Sequence, residues 1–392
     1  MQSLDEFAAA KLAGLEANSL RRALVDTVRV TGIWTLRNRR RLLSFCCNDY
    51  LNLTHHPAVV EAASQALRLY GVGAGASRLI TGNHPLFAEL ERRLARLKET
   101  QDACVFGSGF LANLGIIPAL VGQNDLVLID ELSHACLFGG ARLARATVVA
   151  YRHSDLAHAE ALLAEQRRRF NRALIATDGI FSMDGDLAPL PGLAALAQHH
   201  DAWLLSDDAH GLGVVGGGRG STFVHGKAEI PLQMGTLSKA IGAYGGYLCA
   251  SAPVIDLMRN RARTLIYSTG LPPAIAAAAI AALDLIEREP AYAALPVAKA
   301  KAFARGAGLA EPESPIVPVI VGDAKAALAA SHLLEEEGFL VTAIRPPTVP
   351  FGTARLRLTF SAQHPDDEIE RLAQIVRTRI LAHEPTRAIA AQ

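Results

Sequence analysis

The amino-acid sequence predicts an α/β protein: a large domain with a mostly parallel central sheet, and a smaller α+β C-terminal domain. A chain of 392 residues is longer than a single hydrophobic core usually supports, so two domains are expected, and 50% of its residues are apolar. Short β-rich runs alternate with longer helical patterns through the first two thirds of the chain. Near residues 287–290 this alternation ends, and a shorter set of strands and helices follows.

The elements follow in order along the chain. The first residues, MQSLDEFAAAKLAGLEANSLRR, have the pattern of an amphipathic helix. Strands are predicted at DACVFG, DLVLID, ATVVAY, RALIATDG and AWLLSDDA, with helices such as FLANLGIIPAL and SDLAHAEALLAEQRRRF between them. Beyond residue 290, IVPVIVG, FLVTAI and ARLRLTF are predicted strands, accompanied by two helices. We therefore expect an N-terminal segment (1–45), a large domain (46–287) and a small C-terminal domain (288–392).

Composition argues against several classes of protein. Lys plus Arg (39) nearly balance Asp plus Glu (38), so we expect no nucleic-acid partner. Acidic residues stand near the N-terminus where an export signal would be basic, and the most apolar stretch, 274–283, is too short to cross a bilayer. The five cysteines include no C-x-x-C pair, and H-E-x-x-H is absent. We expect a soluble, cytoplasmic protein without a metal or a membrane partner.

The first segment that carries chemistry is AWLLSDDAHGLG. An apolar strand ends there on Asp207, Asp208 and His210 and enters a glycine turn. In open α/β sheets ligands bind outside the carboxyl ends of the strands, so these side chains are candidates for ligand contact. A capping or turn aspartate is the alternative interpretation.

The second segment is GTLSKAIGAYGGY, where Lys239 stands between glycines in an apolar setting without a nearby acid. Desolvation lowers the pKa of such a lysine and makes its amine a nucleophile. A surface lysine in a flexible loop is the alternative. In the third segment, VFGSGFLANLGIIPAL, Gly107 and Gly109 precede a helix whose free amides can bind phosphate. An ordinary helix-start turn explains this segment equally well.

Together the three segments predict a ligand with a phosphate, a group that needs a carboxylate, and a carbonyl that a lysine can capture. Pyridoxal 5'-phosphate has all three, with Asp207 as the partner of its ring nitrogen and Lys239 as its Schiff-base lysine. Two other phosphate motifs fail. Gly211, Gly213 and Gly216 match G-x-G-x-x-G, but more glycines follow them instead of a helix. In the segment 220–227, five residues separate the two glycines, and Ala228 stands where a Ser or Thr is required.

An ordered set of motifs over nearly the whole chain resembles the α-oxoamine synthases, which are fold-type-I pyridoxal-phosphate enzymes. The motifs are FCCNDYLNL, GAGASRLITGNH, GSGFLAN, DELSHACL, TDGIFSMDGDLAPL, DDAHGLGVVGGGRG, GTLSKAIGAYGGY, LIYSTGLPP and RPPTVPFGTARLRLTF. The resemblance implies a fold-type-I transferase and a homodimer with its sites at the interface. In that dimer Ser268 and Thr269 would reach the phosphate bound by the other subunit.

The resemblance also assigns residues. It implies that His134 stacks on the cofactor face and that His210, with Ser182 beside it, contacts the phenolic oxygen. It implies that Lys239, His134 and Asp207 are catalytic. The phosphate-holding residues it implies are Gly109, Phe110 and Thr236. The substrate-binding residues it implies are Arg21, Asn48, His134, Arg345, Thr348 and Arg357.

The prediction of the substrates depends most on the RPPTVP segment. It favours the family member of biotin biosynthesis, which condenses L-alanine with a pimeloyl thioester, carried on coenzyme A (CoA) or on acyl carrier protein (ACP), and releases carbon dioxide. The alternatives are 5-aminolevulinate synthase or 2-amino-3-ketobutyrate CoA ligase, which use glycine, a serine-using relative, and a pyridoxal-phosphate aminotransferase. A non-enzymatic binding protein should lack the reactive lysine.

Two positions depart from the family pattern. Asp178 precedes GIFSMDG where Glu is usual, and Phe87 stands where His is common. Neither is proposed for chemistry, so we expect them to affect fine specificity and not the reaction class.

Overall fold

The computed structural model describes residues 2–383. Residues 48–297 form one compact unit, and the residues before 48 group with those from 298 onward to form another. The strands, numbered in chain order, are β1 Thr27–Thr31, β2 Trp34–Arg37, β3 Arg40–Ser44, β4 Asp102–Phe106, β5 Leu126–Asp130, β6 Thr147–Tyr151, β7 Ala173–Asp178, β8 Trp203–Asp207, β9 Leu232–Thr236, β10 Gly246–Ala250, β11 Ile316–Gly322, β12 Phe339–Leu340, β13 Thr342–Ile344 and β14 Ala354–Thr359.

The helices connect these strands. They are α1 Leu4–Ala17, α2 Pro57–Tyr70, α3 Pro85–Leu97, α4 Gly109–Leu120, α5 Ala135–Ala144, α6 Leu156–Gln166, α7 Leu190–His199, α8 Ala252–Arg261, α9 Arg263–Ile266, α10 Pro273–Arg288, α11 Pro290–Ala307, α12 Ala324–Glu336 and α13 Asp366–Ile375. The boundary between the units, at residue 297, falls inside α11. Within the described residues, no helix is long and apolar enough to cross a membrane.

The unit 48–297 is built on a seven-stranded sheet with the order β4-β10-β9-β8-β7-β5-β6. All neighbouring pairs are parallel except those of β10, which runs antiparallel to β4 and β9. Strand β5 shows why the sheet is covered on both faces. Val127 and Ile129 lie in one apolar core, and Leu126 and Leu128 in another. A continuous apolar run of this kind is typical of a parallel strand buried on both sides, so the predicted fold class is confirmed.

The strand directions determine where the loops meet. Strands β5, β7, β8 and β9 end at one edge of the sheet, and the antiparallel β10 begins there, with Gly246 opposite Thr236. The segment between β9 and β10 contains Lys239. The lysine loop and the polar ends of the parallel strands therefore lie at one edge.

The second unit combines the two ends of the chain. Its sheets have the orders β1-β2-β3-β12 and β11-β14-β13. Strand β12 pairs in parallel with β3, which is why the N-terminal residues group with the C-terminal ones. The predicted strand FLVTAI is divided at Val341 into β12 and β13, which belong to different sheets. The predicted N-terminal helix is present as α1, with a capping box at Ser3, but none of its side chains is buried.

Candidate active site

A cavity of about 220 Å³ lies at the edge of the seven-stranded sheet where β7, β8 and β9 end. It brings together the residues that the sequence assigned to the cofactor, apart from Ser268 and Thr269, which are expected to reach the phosphate of the other subunit. The lining residues are Ser108, Gly109, Phe110, His134, Cys136, Asp178, Ile180, Ser182, Asp207, Ala209, His210, Thr236, Ser238 and Lys239. All of them belong to the unit 48–297.

Lys239 is held in a tight turn between β9 and β10. The amide of Gly242 donates to the carbonyl of Lys239 (2.8 Å), and Gly242 has φ +70°. A Cβ atom at Gly242 would lie 2.6 Å from the backbone nitrogen of Thr54, so glycine is required there for two reasons. The turn directs the lysine amine into the cavity wall, where its Nζ lies 2.7 Å from Nε2 of His210.

His210 contacts Tyr50 as well as Lys239. Its Nδ1 lies 2.6 Å from the hydroxyl oxygen of Tyr50, whose side chain is fully buried. A neutral imidazole has one N–H and one lone pair, so it can accept a proton at one nitrogen while it donates one at the other. Lys239, His210 and Tyr50 thus form a connected row of hydrogen-bonded groups.

Asp207 ends β8 and is buried. Its Oδ2 accepts a hydrogen bond from Nδ2 of Asn113 (2.8 Å), and its Oδ1 accepts one from the amide of Ala209 (3.0 Å). The thiol of Cys136 donates a longer bond to the same Oδ2 (3.9 Å). These donors fix the orientation of the carboxylate at the cavity wall.

Asp178 ends the neighbouring strand β7, in register with Asp207. Burial raises the pKa of Asp178 well above its ordinary value, and the charge of Asp207 raises it further. The site thus favours the neutral form of Asp178. Asp178, which the sequence marks only as a departure from the family pattern, is thus the last residue of a strand and lines the cavity.

His134 begins α5. Its backbone amide donates to Oδ1 of Asp178 (3.1 Å), and its Nδ1 lies 2.8 Å from the sulfur of Cys136. Burial lowers the pKa of His134; the charge of Asp207 opposes this change and Lys239 adds to it. A neutral ring is thereby favoured, which suits a residue that stacks on an aromatic ligand.

The start of α4 also lines the cavity. Ser108 caps this helix by accepting from the amide of Leu111 (3.2 Å), while the amides at its first turn lack helical partners. A Cβ atom at Gly109 would lie 3.3 Å from Cβ of Thr236, and one at Gly246 would lie 2.5 Å from the carbonyl oxygen of Ser108. Glycines therefore allow the helix start, β9 and β10 to approach closely and form a cradle for an anion.

These residues fit pyridoxal phosphate. The helix start and the hydroxyl of Thr236 can hold a phosphate, and Asp207 offers a buried carboxylate to a protonated ring nitrogen. Lys239 offers an amine to the aldehyde.

Comparison with known proteins agrees with this geometry. The chain matches the family model described as aminotransferase class I and II over residues 40–376. An 8-amino-7-oxononanoate synthase from Methylocella silvestris is 67% identical over 342 residues, which cover 87% of this chain and 98% of that protein. One from Beijerinckia indica is 61% identical over 377 residues, covering 96% and 98%. The chain belongs to the 8-amino-7-oxononanoate synthase family.

Solved structures extend this result. A serine palmitoyltransferase from S. paucimobilis with bound pyridoxal phosphate and myriocin has a TM-score of 0.89 at 27% identity, covering 96% of this chain and 98% of that one. An 8-amino-7-oxononanoate synthase from Francisella tularensis has a TM-score of 0.75 at 25% identity, covering 87% and 98%. As a member of the 8-amino-7-oxononanoate synthase family, the chain is a pyridoxal-phosphate-dependent acyltransferase. The family, enzyme class, cofactor and biotin-pathway function predicted from the sequence are confirmed.

The predicted substrate-binding residues of this synthase lie in both units. Asn48 belongs to the unit 48–297, where its Oδ1 accepts a bond from the hydroxyl of Tyr50 (3.4 Å). In the other unit, Arg345 donates to the carbonyl of Ser19, and Thr348 accepts a bond from Arg22 (2.9 Å). There too, Arg357 is buried in β14, and Arg21 forms an exposed ion pair with Glu16 (3.1 Å). The role of these residues in substrate binding stays a prediction.

From the sequence, Asp178 is named only as a departure from the family pattern, and Tyr50, Asn113 and Cys136 are not assigned to the site. Asp178 had a usable signal, because it ends an apolar run in the way that Asp207 does. Tyr50, Asn113 and Cys136 had none: they stand within other motifs and reach the site only through the fold. Phe87, the second family departure, is fully buried and lies under the guanidinium of Arg78, 4.9 Å from its ring centre.

Proposed function

We propose that the chain condenses L-alanine with a pimeloyl thioester, on CoA or ACP, to give 8-amino-7-oxononanoate, thiol and carbon dioxide. The observation that carries the proposal is the approach of Lys239 to His210 in the cavity that also holds Asp207 and the start of α4. The relatives support the choice of product, because they are named 8-amino-7-oxononanoate synthases.

Bound pyridoxal phosphate supplies an electron sink for the substrate α-carbon. Lys239 would hold the cofactor until an amino acid replaces it, and its freed amine is then the base that removes the α-proton. The α-carbon forms a bond to the thioester carbonyl and the thiol leaves. The carboxylate of the amino acid then departs as carbon dioxide, and Lys239 returns a proton to the α-carbon.

The surrounding residues would assist these steps by moving protons, holding the cofactor and binding the substrates. His210 and Tyr50 offer a route for a proton to and from the lysine amine, because the row connects the cavity to a buried hydroxyl. His134 would cover one face of the cofactor ring and polarise the thioester carbonyl. Asp207 would keep the ring nitrogen protonated, which favours proton removal at the α-carbon. Arg21, Asn48, Arg345, Thr348 and Arg357 are proposed to bind the substrates, on the support of their matching positions.

We further propose a homodimer in which Ser268 and Thr269 reach the phosphate held by the other subunit. The segments around residues 76–80 and 267–270 are joined, with the amide of Gly270 donating to the carbonyl of Ala76 (3.0 Å). Ile80 and Tyr267, on these segments, are 75% and 74% exposed. An apolar surface of this kind supports burial against a second copy. No disulfide joins the five cysteines, all of which lie in the described residues, and this supports a cytoplasmic location.

The test of the function is a panel of amino acids crossed with acyl thioesters, scored by thiol release from the holoenzyme. L-Alanine with pimeloyl-CoA or pimeloyl-ACP should far exceed glycine with succinyl-CoA. A methyl-sized pocket discriminates by only about 10–200-fold, so a low glycine rate is expected. A preference for glycine and a short acyl thioester would contradict the proposed substrates while leaving the family assignment intact.

A further inference from the structure

His153 lies outside the cavity, in the loop after β6, and binds two carboxylates. Its Nδ1 lies 3.0 Å from Oδ1 of Asp130, and its Nε2 lies 2.8 Å from Oδ2 of Asp186. An ionised carboxylate can only accept a hydrogen bond, so both ring nitrogens must donate and the ring must carry a positive charge. The edge of the ring also packs against Phe181, with the centres 4.3 Å apart.

One of these carboxylates organises the loop that carries His134. Asp130 ends β5; its Oδ1 also accepts from the amide of Leu132 (2.9 Å), and its Oδ2 from the amide of Ser154 (2.8 Å). The amide of His153 donates to Oε1 of Glu131 (3.1 Å). The segment 153–154 is thus fastened to the segment 130–132, which leads directly to His134 at the start of α5.

The other carboxylate belongs to the loop that carries Ser182. The amide of Phe181 donates to the carbonyl of Asp186 (3.1 Å), and the amide of Gly185 donates to the carbonyl of Phe181 (2.8 Å), which closes a compact turn. Ser182 lies within this turn and lines the cavity. By holding Asp186, His153 supports this turn.

We propose that His153 is a positioning residue of the active site: its charged ring joins the loop that carries His134 to the turn that carries Ser182. The inference rests on the proposed use of both residues at the cofactor. It is supported by the charge balance around the ring. Partial burial opposes protonation, but the bonds to Asp130 and Asp186 and their charges prevail and raise the pKa of His153 to about 10. Glu131 is a third acidic group beside the loop.

The test compares His153→Gln, His153→Arg and Asp186→Asn as holoenzymes. Glutamine has no charge and cannot donate to both carboxylates, whereas arginine is charged and has several donors. We expect His153→Gln and Asp186→Asn to reduce the visible circular dichroism of the bound cofactor. Because loss of alignment costs up to about 100-fold in rate, kcat should fall by about 10-fold with little change in KM. His153→Arg should recover most of both signals.

A matched control is His199→Gln, an exposed histidine at the end of α7, near the opposite edge of the sheet. It should leave both readouts unchanged.

The double variant His153→Gln/Asp186→Asn should be no worse than either single variant, because both substitutions remove the same link between the two loops. Cofactor dichroism and kcat within 2-fold of wild type in folded His153→Gln would overturn the proposal, as would additive losses in the double variant. If His153→Gln does not fold, Asp186→Asn, whose side chain is 35% exposed, gives the same decision. The dichroism needs no substrate, so it distinguishes this failure from a wrong substrate assignment.

Discussion

At the scale of single residues, the orientation of the Asp207 carboxylate depends on its hydrogen-bond donors. Asn113, the amide of Ala209 and the thiol of Cys136 all point at its carboxylate, and the neighbouring Asp178 is favoured in its neutral form. A carboxylate with this many donors keeps one orientation. We therefore expect the orientation of Asp207, and not only its presence, to matter for holding the ring nitrogen protonated.

Asp207→Asn should still bind pyridoxal phosphate but lose most of its ability to remove the α-proton. An amide cannot hold the ring nitrogen protonated, and loss of one electrostatic partner costs at least about 100-fold in rate. The measurement is exchange of the α-proton of L-alanine in deuterated water. Borohydride reduction and peptide mapping should place the cofactor on Lys239 in both proteins. Asp201→Asn, with its side chain fully exposed, is the control; near-normal exchange in Asp207→Asn would assign the role to another group.

At the scale of elements, the ends of strands are joined by buried side chains. In the unit formed by the two chain ends, the ring of His364 stacks on Phe45, with the centres 4.0 Å apart. Its Nδ1 accepts from the amide of Ser361 (2.9 Å), and its Nε2 donates to the carbonyl of Ser44 (3.0 Å). Since one nitrogen must accept, the ring is neutral. Burial accordingly lowers the pKa of His364 to about 3, and protonation would break the bond that Nδ1 accepts from the Ser361 amide and leave a charge buried in the core.

This depressed pKa predicts a loss of stability in acid. Unfolded His364 takes up a proton below about pH 6.5 while the folded ring does not, so the free energy of unfolding should fall as the pH drops from about 6.5 towards 3. The contribution is at most about 1.4 kcal/mol per pH unit. Urea unfolding of the wild type and of His364→Gln between pH 7 and 4 measures it. The variant should be less stable at pH 7 but lose less in acid, whereas the exposed His332→Gln should follow the wild type. Parallel curves for wild type and His364→Gln would disprove the account.

At the scale of the whole molecule, a single chain leaves apolar side chains such as Leu79, Ile80 and Tyr267 in water. These residues flank the segment that carries Ser268 and Thr269. A homodimer would cover them and would bring two hydroxyls to the phosphate site of the partner. The exposed apolar surface would thus become the interface that places Ser268 and Thr269 at the phosphate.

Mixed dimers test this sharing of residues. Lys239→Ala and the double variant Ser268→Ala/Thr269→Ala should each be strongly impaired alone. When the two proteins are unfolded together and refolded, half of the dimers are hybrids. Each hybrid has one site with an intact lysine and intact hydroxyls, so roughly a quarter of wild-type activity should return. Refolding each variant separately is the control. If activity does not return although hybrids form, each subunit contains its own complete site.

The sequence by itself determined the fold class and was enough to predict two residues of the cavity. Asp207 and Lys239 stand at positions that a local pattern identifies, because one ends an apolar strand and the other lies in a glycine-bounded loop between strands. The alternation of short β-rich runs with helical patterns likewise predicted a mostly parallel sheet. The ordered motifs identified the family, from which the assignments of His134 and Thr236 followed.

Only the tertiary structure decided which distant residues complete the site. Tyr50 and His210 are 160 residues apart, and Asn113 and Asp207 are 94 apart, so no local periodicity connects them. The same holds for FLVTAI, which reads as one strand but is divided between two sheets by its pairing partners. Hydrophobic patterning depends on a residue's near neighbours in the chain. Hydrogen-bond partners are set by the crossover connections of the sheet, which bring the ends of non-consecutive strands together.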